Sequence, residues 1–324
     1  MGYIRKWTIM IWEKKGLIFD AKKFDLEFAQ SPQTLVFDDY VRIYFSTRER
    51  DSKGEYLSKI AFVDFDLELS KVLNVSTNEV ISLGGLGAFD EHGIFPISPF
   101  KDSDGKIYAI TCGWNRRVSV PVETGIGLVY SNDNGNTFDR KFKGPILAAS
   151  LNEPVLVGDG FVQKYNGTYY MWYIFGTHWL EKTIDEPVAR IYKIGYATST
   201  DLINWERNNS KIIEDVLNED ECQALPTVVE FEGTYHMFFC FREATDFRTN
   251  PKRGYKWGYA SSQDLINWTR DDEKGGMNLN YDGSWDASMM CYPHIFKVKN
   301  QVYLLYNGNE FGKFGFGLAK LKSI

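Results

Sequence analysis

The sequence predicts an all-β chain folded as a five-bladed β-propeller, and two internal registers carry that prediction. In the first, a short turn followed by an aromatic-rich strand recurs at Asp39-Tyr40, Gly105-Lys106, Gly167-Thr168, Gly233-Thr234 and Asn300-Gln301. Successive turns lie 66, 62, 66 and 67 residues apart, and self-similarity at such a period marks a ring or array of like units. In the second register, Lys59-Ile60-Ala61-Phe62, Ile126-Gly127-Leu128-Val129, Ile194-Gly195-Tyr196-Ala197, Trp257-Gly258-Tyr259-Ala260 and Phe316-Gly317-Leu318-Ala319 line up one strand further on. Four of these five carry glycine at the same place, which suits close approach of packed backbones.

The units run roughly 21–75, 90–142, 155–210, 220–272 and 288–324. Each first-register turn leads into a buried strand, such as Ile107-Tyr108-Ala109-Ile110 in the second unit and Tyr169-Tyr170-Met171-Trp172-Tyr173 in the third. The third and fourth units share a longer phrase, running from Gly195 to Trp205 and from Gly258 to Trp268, with Asp-Leu-Ile-Asn-Trp at both ends. It reads as strand, polar turn, strand. A weaker copy in the second unit ends on Phe138 where the others have Trp, so each outer strand offers one aromatic to the space between blades. The fifth unit reaches Ile324 directly after its third strand, whereas the strand-like stretch Ile4 to Trp12 has no place in the repeats. Residues 3–12 are therefore expected to complete the last blade and close the ring, which removes an exposed sheet edge. One domain, residues 1–324, follows, because a ring of repeats cannot be cut without exposing edges.

Composition narrows the function classes. With 37 Lys and Arg against 43 Asp and Glu, the net charge is −6, and no basic run is long enough to track a phosphate backbone, so nucleic-acid binding is not expected. No window approaches the ~20 apolar residues of a membrane span, and a cytoplasmic protein is expected. Cys112, Cys222, Cys240 and Cys291 show no metal-type spacing and are read as free thiols. His92, His178, His236 and His294 are equally scattered, which argues against a catalytic zinc. No cofactor is predicted, an ion in the axial channel and the oligomeric state are left open, and the aromatic content of 16% suits stacked sheets and also the binding of a saccharide or glycoside.

In an up-and-down blade, the start of the first strand and the end of the second meet at one mouth. Strand-one starts bring Gln30, Asp90, Glu91, His92, Asp159, Glu221, Gln223, Tyr292 and His294 there; strand-two ends bring Arg48, Trp114, Arg116, Arg117, His178, Trp179, Arg242, Glu243 and Glu310. The result is a polar funnel edged with aromatics. Asp159 is the sharpest catalytic candidate: between Gly158 and Gly160 it either lies desolvated near the axis with a raised pKa or caps a tight turn. Asp90, Glu91 and Glu221 are its candidate partners, since glycosidic cleavage needs two carboxyl groups, one as acid and one as nucleophile or base. Arg48, Arg116, Arg117 and Arg242 either grip an anionic substrate group or neutralise buried acids beside them.

The X-Pro dipeptides at strand starts (Ser31-Pro32, Leu225-Pro226, Tyr292-Pro293), the strand Asn166 to Tyr173 and the Asp-Leu-Ile-Asn-Trp repeats together resemble the arabinanase, levansucrase and invertase superfamily. The resemblance covers essentially the whole chain. It implies a five-bladed propeller acting on glycosides, with an acid near the start of the inner strand in blades one, two and three. Matched by position, the blade-two acid falls on Asp90 or Glu91 and the blade-three acid on or beside Asp159. Blade one departs from the pattern: Ala29-Gln30-Ser31-Pro32-Gln33 holds no carboxylate, the nearest upstream being Glu27 and Asp25. Glu221-Cys222 resembles a Glu-Cys-Pro motif of the invertase branch, displaced to blade four. The chain is also similar to hydrolase-like propellers associated with bacterial surface-polysaccharide synthesis. These features imply an enzyme that cleaves or transfers a glycosyl unit by hydrolysis, phosphorolysis or transfer. The missing blade-one acid keeps a second reading open, a non-catalytic glycan-binding propeller in which Trp114, Trp179 and Tyr292 stack on sugar rings.

Overall fold

Residues 9–183, 188–277 and 284–323 are described in a computed structural model. In chain order the strands are β1 (Ile11–Asp20), β2 (Glu27–Val36), β3 (Tyr40–Arg50), β4 (Tyr56–Asp66), β5 (Val72–Val75), β6 (Gly93–Lys101), β7 (Ile107–Arg116), β8 (Val122–Ser131), β9 (Asp139–Arg140) and β10 (Val157–Tyr165). They continue with β11 (Thr168–Leu180), β12 (Ala189–Ser199), β13 (Glu206–Arg207), β14 (Cys222–Phe231), β15 (Thr234–Arg242), β16 (Lys256–Ser262), β17 (Thr269–Arg270), β18 (Cys291–Val298), β19 (Gln301–Asn307) and β20 (Gly315–Ser323). Three four-stranded antiparallel sheets run β10-β11-β12-β13, β14-β15-β16-β17 and β18-β19-β20-β1. In the remaining sheet, β2-β3-β4 and β6-β7-β8-β9 are joined only through a parallel bridge between Ser58 and Gly93, with β5 beside β4. The first-register turns are the hairpins that lead into β3, β7, β11, β15 and β19, and the second register is β4, β8, β12, β16 and β20.

The strand that completes the last sheet lies further along than residues 3–12. It begins at Ile11 and runs to Asp20, pairing from Ile11 opposite Ser323 to Asp20 opposite Gly315; residues 3–8 of the expected stretch lie outside the described residues. Glu13, Lys14 and Lys15 fall inside this strand, because an outermost strand has an open side for charges. There Lys15 and Glu13 pair with each other, while Lys14 reaches Asp286 at 3.0 Å. The apolar side of β1 buries Phe19 in a stack with Phe316 and Phe45, ring centroids 5.1 and 5.2 Å away.

Apolar side chains fill the spaces between neighbouring sheets, with Trp172, Ile194 and Phe239 fully buried in the largest cluster. All four cysteines are buried and unpaired. No helix among the described residues is long and apolar enough to cross a membrane.

The innermost strands β2, β6, β10, β14 and β18 position the site. β2 packs beside β6 and β18, β10 beside β6 and β14, and β14 beside β18. Each breaks its ladder at the same place, with register shifts at Gln30/Gln33, Ile94/Ile97, Gly158/Phe161, Ala224/Thr227 and Cys291/His294. A bulge re-aims the residue it carries. Here that residue is Ser31, Phe95, Asp159, Leu225 or Tyr292, with φ of 54°, 52°, 49° and 54° at Ser31, Asp159, Leu225 and Tyr292, and a cis peptide at Phe95-Pro96.

Candidate functional site

The bulges bring residues of different inner strands into contact in pairs. The Leu225 N–H donates to Asp159 Oδ2 at 3.3 Å, and the rings of Phe95 and Tyr292 meet edge to face at 5.3 Å. Asp159 is the one acid of the five. It lies within β10 and not in a turn, so the capping alternative does not apply. Asp tolerates the left-handed backbone that the bulge requires. Burial pushes its carboxyl up to about 7, opposed by the Leu225 N–H and the positive charge of Arg190. A carboxyl titrating there gives or takes a proton at neutral pH. The neighbouring thiols Cys112 and Cys240 are pushed well above their usual range by the same burial.

A cavity of about 1160 Å³ is walled by Leu26, Glu27, Gln30, Arg48, Tyr56, Phe247, Arg248, Met289, Glu310 and Phe311, among others, and Asp159 is not on its wall. Its residues come from the start of β2, the end of β3, the β15–β16 loop and the β19–β20 turn, which is the expected mouth. Arg48 donates to Gln30 Oε1 at 2.8 Å and to Ser58 Oγ, and its guanidinium stands 5.5 Å from the centroid of the Phe95 ring. Burial pulls its pKa down. Glu310 is held by Lys313. Glu27, upstream of the blade-one gap in the acid pattern, accepts the Tyr56 hydroxyl.

Other expected site residues go elsewhere. Asp90 is taken by Arg140, whose Nε stands 2.9 Å away. Glu221 has no exposed surface and accepts from Arg270 at 2.6 Å, Gln223 at 3.0 Å and the Val216 and Leu217 N–H groups. These are internal latches, each joining the segment before an inner strand to the outermost strand of its own sheet. Two more were not foreseen: Glu153 with Arg207 at 2.5 Å, and Asp286 with Lys14. The signal was available, because each repeat phrase continues as aromatic-x-Arg through Phe138-Asp139-Arg140, Trp205-Glu206-Arg207 and Trp268-Thr269-Arg270.

Two expected anion-gripping arginines already hold carboxylates, Arg116 with Asp51 at 2.8 Å and Arg117 with Glu123 at 2.6 Å. Arg242 is buried and spends its donors on the Glu243 and Ala244 carbonyls and the Tyr192 hydroxyl, with Phe247 stacked 3.6 Å from its guanidinium. It thereby seats Phe247 at the cavity wall. Glu243 accepts from Asn218, and Gln223 is sealed between β12 and the β13–β14 connection. Trp114 donates to Ser58 in the seam below β7, with His92 stacked on it, and Glu91 accepts the Gly87 N–H. His178 lies 3.4 Å from Asp220 in a separate depression, and Trp179 packs on the largest core cluster. His294 is buried further down the inner strands, where Thr34 bonds its Nε2 and burial lowers its pKa to about 3. Among the described residues no group of three or more His, Cys, Asp or Glu is arranged to hold a metal ion.

Two Mycobacterium tuberculosis proteins, MT1551 and Rv1502, are each 32% identical to the chain over 320 residues, covering 97% of this chain and 100% of theirs. The chain belongs to the family of these two proteins. No protein-family model matches it. Among solved structures, a glycoside hydrolase superposes with a TM-score of 0.73 at 16% identity, over 99% of this chain and 94% of its own. A structure from the GH130 family of mannoside phosphorylases, which contains glycoside hydrolases that target β-1,2 mannosidic linkages in Candida mannan, gives 0.67 at 13%, over 98% and 96%. The family thus has the all-β, multi-sheet architecture of propeller-type glycoside hydrolases.

Proposed function

We propose that the protein is a carbohydrate-active enzyme of the glycoside hydrolase type, cleaving or transferring a glycosyl unit with Asp159 as its proton-transfer group. The observation that carries the reading is the position of Asp159: the one acid among the five bulge residues of the inner strands, buried, with its carboxyl pushed up to about 7. The fold is read as a single five-bladed ring, supported by the contacts around the inner strands and by the pairing of β1 with β20. With Asp90 and Glu221 engaged by arginines, the second carboxyl is read as Glu27 on the cavity wall, supplying blade one with the acid its inner strand lacks. Association with surface-polysaccharide synthesis and a cytoplasmic location rest on the sequence resemblance and belong to the same proposal.

The test is mass spectrometry of products after incubation with varied glycosides and sugar nucleotides, each with and without phosphate. Released sugar, sugar phosphate or an extended acceptor is expected from the wild type. Asp159→Asn should abolish it and Glu27→Gln should reduce it by about 10²-fold or more. Turnover by Asp159→Asn at the wild-type rate would remove Asp159 from the mechanism. The latching of two candidate acids favours one other reading, a glycan-binding propeller, which predicts saccharide binding without any product.

A further inference from the structure

We infer that the cavity holds a negatively charged group of the sugar ligand, a phosphate or a carboxylate, and that Arg48 and Arg248 grip it. The inference rests on the reading of this cavity as the saccharide site and names the class of saccharide. Five other arginines, Arg42, Arg116, Arg140, Arg207 and Arg270, are each matched by a carboxylate within 2.8 Å, and the buried Arg242, which has no carboxylate, turns its terminal nitrogens to two backbone carbonyls and a hydroxyl away from the cavity wall. Arg48 has no carboxylate partner among the described residues. It is half-buried, it uses two of its five N–H donors on neutral oxygens, and it stands on the cavity wall. Sequestering a guanidinium without an anion is costly, and its fork matches phosphate or carboxylate with two parallel bonds.

Arg248 faces the same space. It is exposed, without a carboxylate partner among the described residues, and lies 4.9 Å from the ring centroids of both Phe247 and Phe311. Its charge acts directly on Arg48, disfavouring the protonated form of the latter. The acids around the cavity relieve this repulsion only in part. Glu310 is matched by Lys313 and Asp25 offsets Lys22 in charge, while Glu27, whose hydrogen-bond partner is the neutral Tyr56 hydroxyl, offsets one of the two arginines. The wall keeps one positive charge in excess, and two arginines without a carboxylate in direct contact stand beside flat aromatic surface, the combination that recognises an anionic sugar.

Titration calorimetry on the full chain tests this with four probes: methyl glucoside as the neutral reference, methyl glucuronide, glucose 1-phosphate and inorganic phosphate. A charged sugar should bind at least about tenfold more tightly than methyl glucoside, and the advantage should shrink between about 50 and about 300 mM salt. Preference between glucuronide and the phosphates identifies the anion. Arg48→Gln and Arg248→Gln should each remove most of that advantage, read as the ratio of charged-probe to methyl glucoside affinity within each variant. Arg248 is exposed, so its variant tests the inference even where Arg48→Gln impairs folding. Equal affinity for charged and neutral probes, or undiminished charged-probe binding by folded Arg248→Gln, would overturn it. Asp159→Asn separates the two proposals: it should keep charged-probe binding, so loss of turnover with intact anion preference tests the chemistry alone.

Discussion

Replacing Asp159 with Asn should stabilise the fold at alkaline pH and leave it unchanged in acid. In the unfolded chain this carboxyl has its ordinary value of 3.8, and burial in the fold pushes it up to about 7. Below the lower value both states hold the proton and the group contributes no difference. As pH rises from there, the unfolded chain releases its proton while the folded chain keeps it, so wild-type stability falls until the folded carboxyl also ionises near 7. A gap of about three decades, at about 1.4 kcal/mol each, costs the wild type up to about 4 kcal/mol by about pH 8. Asparagine has nearly the same shape, can accept the Leu225 N–H, and carries no charge at any pH. Urea unfolding of both proteins at about pH 4, 6 and 8 should give a difference near zero that grows to several kcal/mol in favour of the variant. A difference that does not change with pH, or one under about 1 kcal/mol at about pH 8, would refute the placement of this carboxyl in a dry site.

The latches and the tight strand contacts give two more outcomes. Arg270→Met leaves the fully buried Glu221 carboxylate without its cation and should cost about 3–5 kcal/mol in urea unfolding, with part recovered by adding Glu221→Gln. Gly258→Ala would put a methyl 2.2 Å from the Phe239 ring, and a loss of about 1–3 kcal/mol should appear as a lower melting temperature.

The repeat was legible because each sheet reuses the same local chemistry: hairpins at Gly105, Gly167 and Gly233 with φ of 83°, 85° and 70°, then apolar strands. Asp159 stood out because a carboxylate inside Val157 to Val162 breaks an apolar run. Its four companions did not, since Ser31, Phe95, Leu225 and Tyr292 share no side-chain type, only a bulge two residues wide. Asp90 and Glu221 were misleading for a physical reason. An acid before an inner strand looks the same in sequence whether it faces the axis or turns back to its own outer strand, and only the position of Arg140 or Arg270 decides. Arg248, Phe247 and Phe311 were hidden because they sit in loops whose path no periodicity reports.

The pairing of β1 with β20 also has a temporal meaning. Ile11 finds its partner at Ser323, so during synthesis one of the earliest strands to emerge must wait for the last. Until Gly315 to Ser323 has left the ribosome, the bare edge of β19 and an unclaimed β1 are both open to wrong partners. Folding of the final sheet therefore cannot finish before Gly315 to Ser323 has emerged, and any product cut short of Gly315 keeps a sticky edge that the paired β20 conceals.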